Sequence, residues 1–159
     1  MKNPAILKLL PFFGLLFIFA KCEKDTEQIA NLPAAVTDYI SAHHPGYKIE
    51  ESRQFTLCSG QEVFLVELEK GKSEMELAFD SEGSYLFAVS EIKDSELPVP
   101  ITYSIASDYP GYSFEEPNRL DWFDGSQTYT VDVEKGKDEK FVFYKSTGEK
   151  ICEGEEWDD

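Results

Sequence analysis

Two short stretches place apolar residues at every fourth position: Leu32, Val36 and Ile40 in "LPAAVTDYISAHH", and Leu97, Ile101, Ile105 and Tyr109 in "LPVPITYSIASDY". That interval is the stripe of a short amphipathic helix. A proline near each start is tolerated because the first N–H groups of a helix have no intrahelical partner. Each stretch ends at Pro-Gly-Tyr, where proline turns the preceding residue away from helical geometry and glycine permits the reversal. The period then changes from four to two. Tyr47-Lys48-Ile49 and Tyr112-Ser113-Phe114 open a first strand, and Phe64, Val66, Leu68 and Tyr129, Val131, Val133 mark a second. Met75, Leu77, Phe79 and Lys140, Val142, Tyr144 mark a third, and a fourth begins near Tyr85 and Lys150. Ser59-Gly60, Asp124-Gly125, two copies of "EKGK", "DSEG" and "KSTG" supply the turns.

The elements come in two sets because the sequence does. Between Leu32 and Leu86, 18 of 55 residues are identical to those 65 positions later, with no gap. "HHPGYKIEE" returns as "DYPGYSFEE", and "VELEKGKSE" as "VDVEKGKDE". Self-similarity at a fixed spacing reads as a tandem duplication. The expected class is therefore α+β, with two tandem repeats, each a short helix packed on its own four-stranded antiparallel sheet. The expected boundaries are a signal peptide over 1–21, a tether over 22–30, a first repeat over 31–92, a connector over 93–96 and a second repeat with an acidic tail over 97–159.

A helix that starts with Leu-Pro and ends with Pro-Gly-aromatic, followed by alternating strands and the turn Phe79-Asp80-Ser81-Glu82-Gly83, resembles the PepSY-like family of secreted bacterial proteins. Those proteins are similar in fold to the tandem-repeat β-lactamase inhibitor protein. The likeness covers about residues 30–155, and the second repeat departs from it at Lys140 and Lys145. It implies a non-catalytic binding or inhibitory module of the cell envelope. It transfers no catalytic residue, and a shared fold does not imply inhibition of a β-lactamase.

The N-terminal "MKNPAILKLLPFFGLLFIFAKC" adds a destination. Its lysine-bearing start and apolar run, interrupted by Lys8 and Pro11, are those of an export signal rather than a membrane span. Two processing routes fit. Cys22 after the run resembles a lipidation site, although Lys21 replaces the usual small residue, and cleavage after Ala20 is the rival. The expected location is the periplasm, or the outer membrane or cell surface as a lipoprotein. Export permits disulfides. If Cys22 is lipidated, Cys58 and Cys152 remain as an even pair, open either to bridging or to burial as free thiols.

Charge narrows the partners. Acidic residues number 31 against 15 Lys and Arg, a formal −16, and −19 without residues 1–21. Nucleic acid and anionic lipid would be repelled, so the membrane is expected only through a lipid anchor. Plain solubility of an acidic surface fits better, or an envelope protein or peptide of cationic character as partner.

Candidate chemistry is sparse. His43 and His44 project about 100° apart on a helix and are poorly placed to share a metal. There is no G-x-S-x-G, Cys-x-x-Cys, phosphate loop or H-E-x-x-H. Glu50-Glu51 and Glu115-Glu116 invite an acid–base reading, but neighbours on a strand face opposite ways. "DWFDG" and "EGEEWDD" lack the spaced oxygen ligands of a calcium loop. No enzyme, cofactor or metal is expected.

The anomaly is the sheet face turned away from the helices. By parity Val63 and Leu65 point there, as do Phe141 and Phe143, where the first repeat has Glu76 and Ala78. Trp122 and Phe123 sit at the adjoining hairpin tip. A solvated face should be polar, so something covers this one. Packing between the repeats, or by Trp157, is one reading. The other is a partner surface built from Val63, Leu65, Trp122, Phe123, Phe141 and Phe143, in an exported binding or inhibitor-like lipoprotein. A structural, self-associating envelope protein is the alternative.

Overall fold

The computed structural model describes residues 32–154. The proposed signal, the whole tether with Cys22, and Trp157 lie outside the described residues. The elements run α1 (Ala34–His43), β1 (Lys48–Thr56), β2 (Glu62–Lys70), β3 (Ser73–Asp80) and β4 (Tyr85–Glu91). A 3-10 turn (Asp94–Glu96) follows, then α2 (Val99–Asp108), β5 (Ser113–Trp122), β6 (Gln127–Lys135), β7 (Asp138–Lys145) and β8 (Lys150–Gly154). Each helix and strand of the first series begins 65 residues before its counterpart in the second.

The strands do not form two sheets. They make one eight-stranded antiparallel sheet in the order β1 to β8, with two short helices, so the fold is mostly β rather than the expected α+β pair of helix-covered four-stranded units. The join is β4 against β5, with Phe87 opposite Trp122, Val89 opposite Leu120 and Glu91 opposite Asn118. The Ile92 N–H donates to the Pro117 carbonyl at 2.9 Å and continues the seam. Two separate sheets would leave β4 and β5 as bare edges with unpaired backbone groups, and pairing them removes both.

Both helices lie on one side of this sheet. Val36 and Ile40 of α1 pack on Phe64, Val66, Leu68, Leu77 and Phe79. Ile101, Ile105 and Tyr109 of α2 pack on Tyr129, Val131, Val133, Val142 and Tyr144. The repeated words explain how each helix is seated. Lys70 Nζ, from the first "EKGK", donates to the Pro45 carbonyl at 3.0 Å and lies 5.4 Å from the Tyr47 ring centre. Lys135 repeats both contacts with the Pro110 carbonyl, at 3.3 Å, and the Tyr112 ring, at 5.4 Å. At the other end Gly83 and Gly148, both at positive φ, let the β3–β4 and β7–β8 turns press on the helix starts. A Cβ on Gly148 would stand 2.5 Å from the Pro100 carbonyl oxygen, and one on Gly83 2.8 Å from Ala35 Cβ. The Ser104 hydroxyl donates to the Gly148 carbonyl at 2.6 Å and fixes this turn to α2.

The other side of the sheet is filled by the chain itself. Phe55, Leu57, Val63, Leu65, Ala78, Phe87, Leu120, Phe141 and Phe143 form one buried cluster. In a flat sheet β2 and β7 would stand five strand spacings apart, about 24 Å. Val63 and Leu65 can share a core with Phe141 and Phe143 only because the sheet curls until its ends face each other. The Cys58–Cys152 disulfide, with Cα atoms 6.0 Å apart, joins the β1–β2 turn to β8 across that approach.

Candidate functional site

The inner, concave face divides along the strands. One end holds the apolar cluster. The other continues the same alternation with charge: Arg53 follows Phe55 on β1, Glu67 follows Leu65 on β2, and Glu76 follows Ala78 on β3. Register brings them together, since Glu67 lies opposite both Glu51 and Glu76, and Glu76 lies opposite Val89 of β4. An open cleft of about 580 Å³ lies here, walled by Arg53, Glu67, Glu74, Glu76, Glu91 and Asn118, with Met75, Val89 and Ser90.

Among the described residues, four carboxylates and one cation line this cleft. Arg53 Nη2 donates to Glu76 Oε1 at 2.9 Å, and Nη1 stands 3.5 Å from Glu51 Oε1. Side-chain exposures of 26% for Arg53 and 19% for Glu76 keep this pair partly out of solvent, where charge is less screened. Glu91 also borders a second open cleft, of about 670 Å³, lined by Lys93, Asp94, Glu96, Glu116 and Pro117 at the connector. The acidic surface therefore runs from β2 and β3 past the seam between β4 and β5.

The repeated glutamate pairs mark backbone irregularities. The β1–β2 register shifts between Ile49 and Glu51, and the β5–β6 register shifts between Glu115 and Asn118. Glu116 adopts φ +46°, a left-handed conformation in a bulged strand. The bulges bend β1 and β5 and help the sheet to curl. Among the described residues no three His, Cys, Asp or Glu side chains form a group suited to a metal ion. His43 stacks on Tyr39 at 4.3 Å, and Tyr39 on Tyr85 at 5.1 Å. Burial, then the neighbouring His43, hold the His44 imidazole below its ordinary pKa.

The structure brings five of the six residues singled out for a partner surface together, but in its interior. Val63 and Leu65 (each 1% exposed), Phe141 (3%) and Phe143 (5%) lie in the interior, against one another rather than on an open surface. Trp122 is half-buried beside Phe87, with ring centres 4.6 Å apart, and its Nε1 donates to Thr128 Oγ1 at 2.8 Å. Phe123 is 69% exposed at the turn, its N–H held by the Leu86 carbonyl at 2.8 Å. Cys58 and Cys152 are bridged. The cleft residues Arg53, Glu67, Glu76 and Glu91 were not singled out, although extending the alternation of each strand two positions past its apolar residues reaches them.

At the β8 edge a second polar group closes over α2. The Tyr109 hydroxyl donates to Glu153 Oε1 at 2.6 Å, and Lys150 Nζ donates to the same oxygen at 3.1 Å. These two bonds, the tyrosine's first, hold the Glu153 carboxyl below the ordinary carboxylate range. Burial, and then the bond to Glu153, push Tyr109 far above an ordinary phenol.

No family model matches the chain, and no curated protein matches it. Solved structures do. A DUF2874 family protein of Bacteroides uniformis superposes with a TM-score of 0.54 at 14% identity, over 76% of this chain and 87% of that one. A Bacteroides eggerthii protein assigned to the periplasm gives 0.55 at 9% identity, over 77% and 87%. A BLIP-like protein of Bacteroides fragilis gives 0.49 at 18% identity, over 77% and 84%, too distant a superposition to bear on this chain. At such identities the likeness shows the fold alone, which this chain shares with the first two proteins.

Proposed function

We propose that the chain is an exported, non-catalytic binding module of a bacterial envelope that receives a cationic segment of a protein or peptide on the acidic end of its inner sheet face. One observation carries the reading: Glu67, Glu74, Glu76 and Glu91 line an open cleft at which Arg53 is the only cation among the described residues. The leader-like N-terminus supports export, and the periplasmic assignment of the Bacteroides eggerthii protein agrees with it. Cys22 is the point at which a lipid anchor would tether the chain.

Magnitudes shape the ligand. An exposed ion pair contributes about 0.2–1 kcal/mol. Micromolar binding needs about 8 kcal/mol. One lysine is therefore too little, and the fitting ligand carries several Lys or Arg residues along an extended stretch, with main-chain contacts between them. Such binding weakens steeply with salt.

The test is titration calorimetry of the full chain with a Lys/Arg-rich ten-residue peptide and with its Asp/Glu counterpart, at low and physiological salt. Binding of the first alone is expected, weakened about tenfold by Glu67→Gln with Glu76→Gln and untouched by Glu82→Gln at an outer turn. Equal affinity for the cleft variant would discard the reading. The structural alternative has its own observation, since Val99 (61% exposed) and Tyr103 (73%) project one turn apart from α2. Sedimentation that depends on concentration, and loses that dependence with Tyr103→Ser, would favour it.

A further inference from the structure

The two ends of the sheet meet without a backbone ladder between them: the strand order ends at β1 on one side and β8 on the other. What crosses the approach is the apolar inner cluster and a single covalent link, Cys58–Cys152, spanning 94 residues of chain. The link is reachable. Cys58 lies exposed in the β1–β2 turn, whereas Cys152 is half-buried against the inner cluster. The strand it holds is weakly anchored otherwise. β8 has five residues, pairs only with β7, and shifts register between Phe143 and Tyr144. Gly154 fits between the two ends, since a Cβ there would stand 3.1 Å from the Phe143 ring and 3.6 Å from Cys58 Sγ.

We propose that Cys58–Cys152 is a reducible latch that sets the curl of the sheet, so that its thiol state decides whether the apolar inner face of Val63, Leu65, Phe141 and Phe143 is closed or accessible. The reductant is a dithiol. Its thiolate attacks the Cys58 sulfur from the side of the exposed turn, and the S–S bond breaks with Cys152 leaving as thiolate. The second reductant thiol then displaces Cys58 from the mixed disulfide. The dithiol is oxidised to a disulfide by two electrons, and its two protons go to the two cysteines. Each half keeps its local ladders and its helix-side core, neither of which uses the disulfide. The ends therefore separate as a local opening rather than by loss of the whole sheet.

Trp122 reports this directly, because its ring packs on the inner cluster beside Phe87. The experiment uses the full chain carrying Trp157→Phe, oxidised, then reduced with dithiothreitol and alkylated. The Cys58→Ser, Cys152→Ser double variant serves as a permanently open form. On reduction two further thiols are expected to titrate. Trp122 emission should shift to longer wavelength and an apolar dye should bind. Amide exchange should quicken in β8 and the β1–β2 turn, while far-UV circular dichroism and protection of β2, β3, β6 and β7 persist. The double variant should match the reduced chain. Unchanged emission and exchange after confirmed reduction would show that packing alone holds the ends, and would overturn the latch. Cooperative loss of all strands would overturn it too, making the disulfide a global staple.

Discussion

The two halves of the sheet follow one backbone plan and put different chemistry on the inner face. Sixty-five residues apart, Glu76 and Ala78 of β3 correspond to Phe141 and Phe143 of β7, Arg53 to Asn118, and Phe87 to Cys152. On the helix side the pairs stay alike: Val36 and Ile101, Ile40 and Ile105, Val66 and Val131, Leu77 and Val142. The helix side is constrained because each helix must be buried on its own four strands. The inner side is constrained only jointly, since curling makes one core from both halves. One half can then supply the bulk that fills it while the other retains charge.

The sharpest way to break that comparison is at Phe143. It is 5% exposed in the shared core, and Phe143→Ala is expected to cost about 3–5 kcal/mol in urea unfolding, by lost transfer energy and a cavity. The opposite change, Ala78→Phe, overfills the same core and should cost about 1–3 kcal/mol. Near equality of the two would mean that the halves fill the core equivalently.

A second contrast concerns the turns against the helix starts. Gly148→Ala and Gly83→Ala both force a side chain into positive φ, a cost of about 1–3 kcal/mol each. Gly148→Ala should be the worse, because its Cβ meets a backbone oxygen at 2.5 Å rather than the Ala35 methyl at 2.8 Å. Melting temperatures of the two variants decide the order.

The lysine contacts test where the halves are equivalent. Lys70→Met and Lys135→Met each remove one carbonyl hydrogen bond and one cation–π contact, worth about 0.5–1 kcal/mol at an exposed site. Losses within a few tenths of a kcal/mol of each other are expected. A clear inequality would mean that the two Pro-Gly-Tyr junctions carry different loads.

The smallest effect is pH dependence at Glu153. Its folded-state pKa is depressed, so its contribution is present above the ordinary carboxylate value and is lost as pH falls through the folded one. Its side chain is 43% exposed, which limits the contribution to a few tenths of a kcal/mol after screening. Glu153→Gln should flatten the acid limb of the stability profile by that amount. The first half has Ala88 and His44 in place of Glu153 and Tyr109, so Ala88→Ser should leave the profile unchanged.

Much of the local structure was legible. The period-four stripe of Val36 and Ile40 and the alternation of Phe64, Val66 and Leu68 place the helix and strand where they occur, because both are set by side chains within one element. The pairing of β4 with β5 was not legible, since α2 and the connector separate the strands and nothing in "SYLFAVSE" names its neighbour. The inner face was half legible. Parity put Phe141 and Phe143 there and left packing between the repeats and a partner surface as alternatives; in the structure they pack in a cluster shared by both halves. The cleft was not legible, because Arg53, Glu67 and Glu76 gain meaning only once the face is seen to be concave and filled at one end.

The sequence by itself determined the periods, the turns, the 65-residue recurrence and the acidic balance, all of which are properties of single elements or of composition. Tertiary structure decided that eight strands form one sheet, that its ends approach closely enough for Cys58 to meet Cys152, and that the remaining charge gathers in a cleft. The physical reason is range. Periodicity reports which side of an element is buried, whereas the partner that buries it is chosen by pairing of free edges and by curl, energies that no single stretch of chain contains.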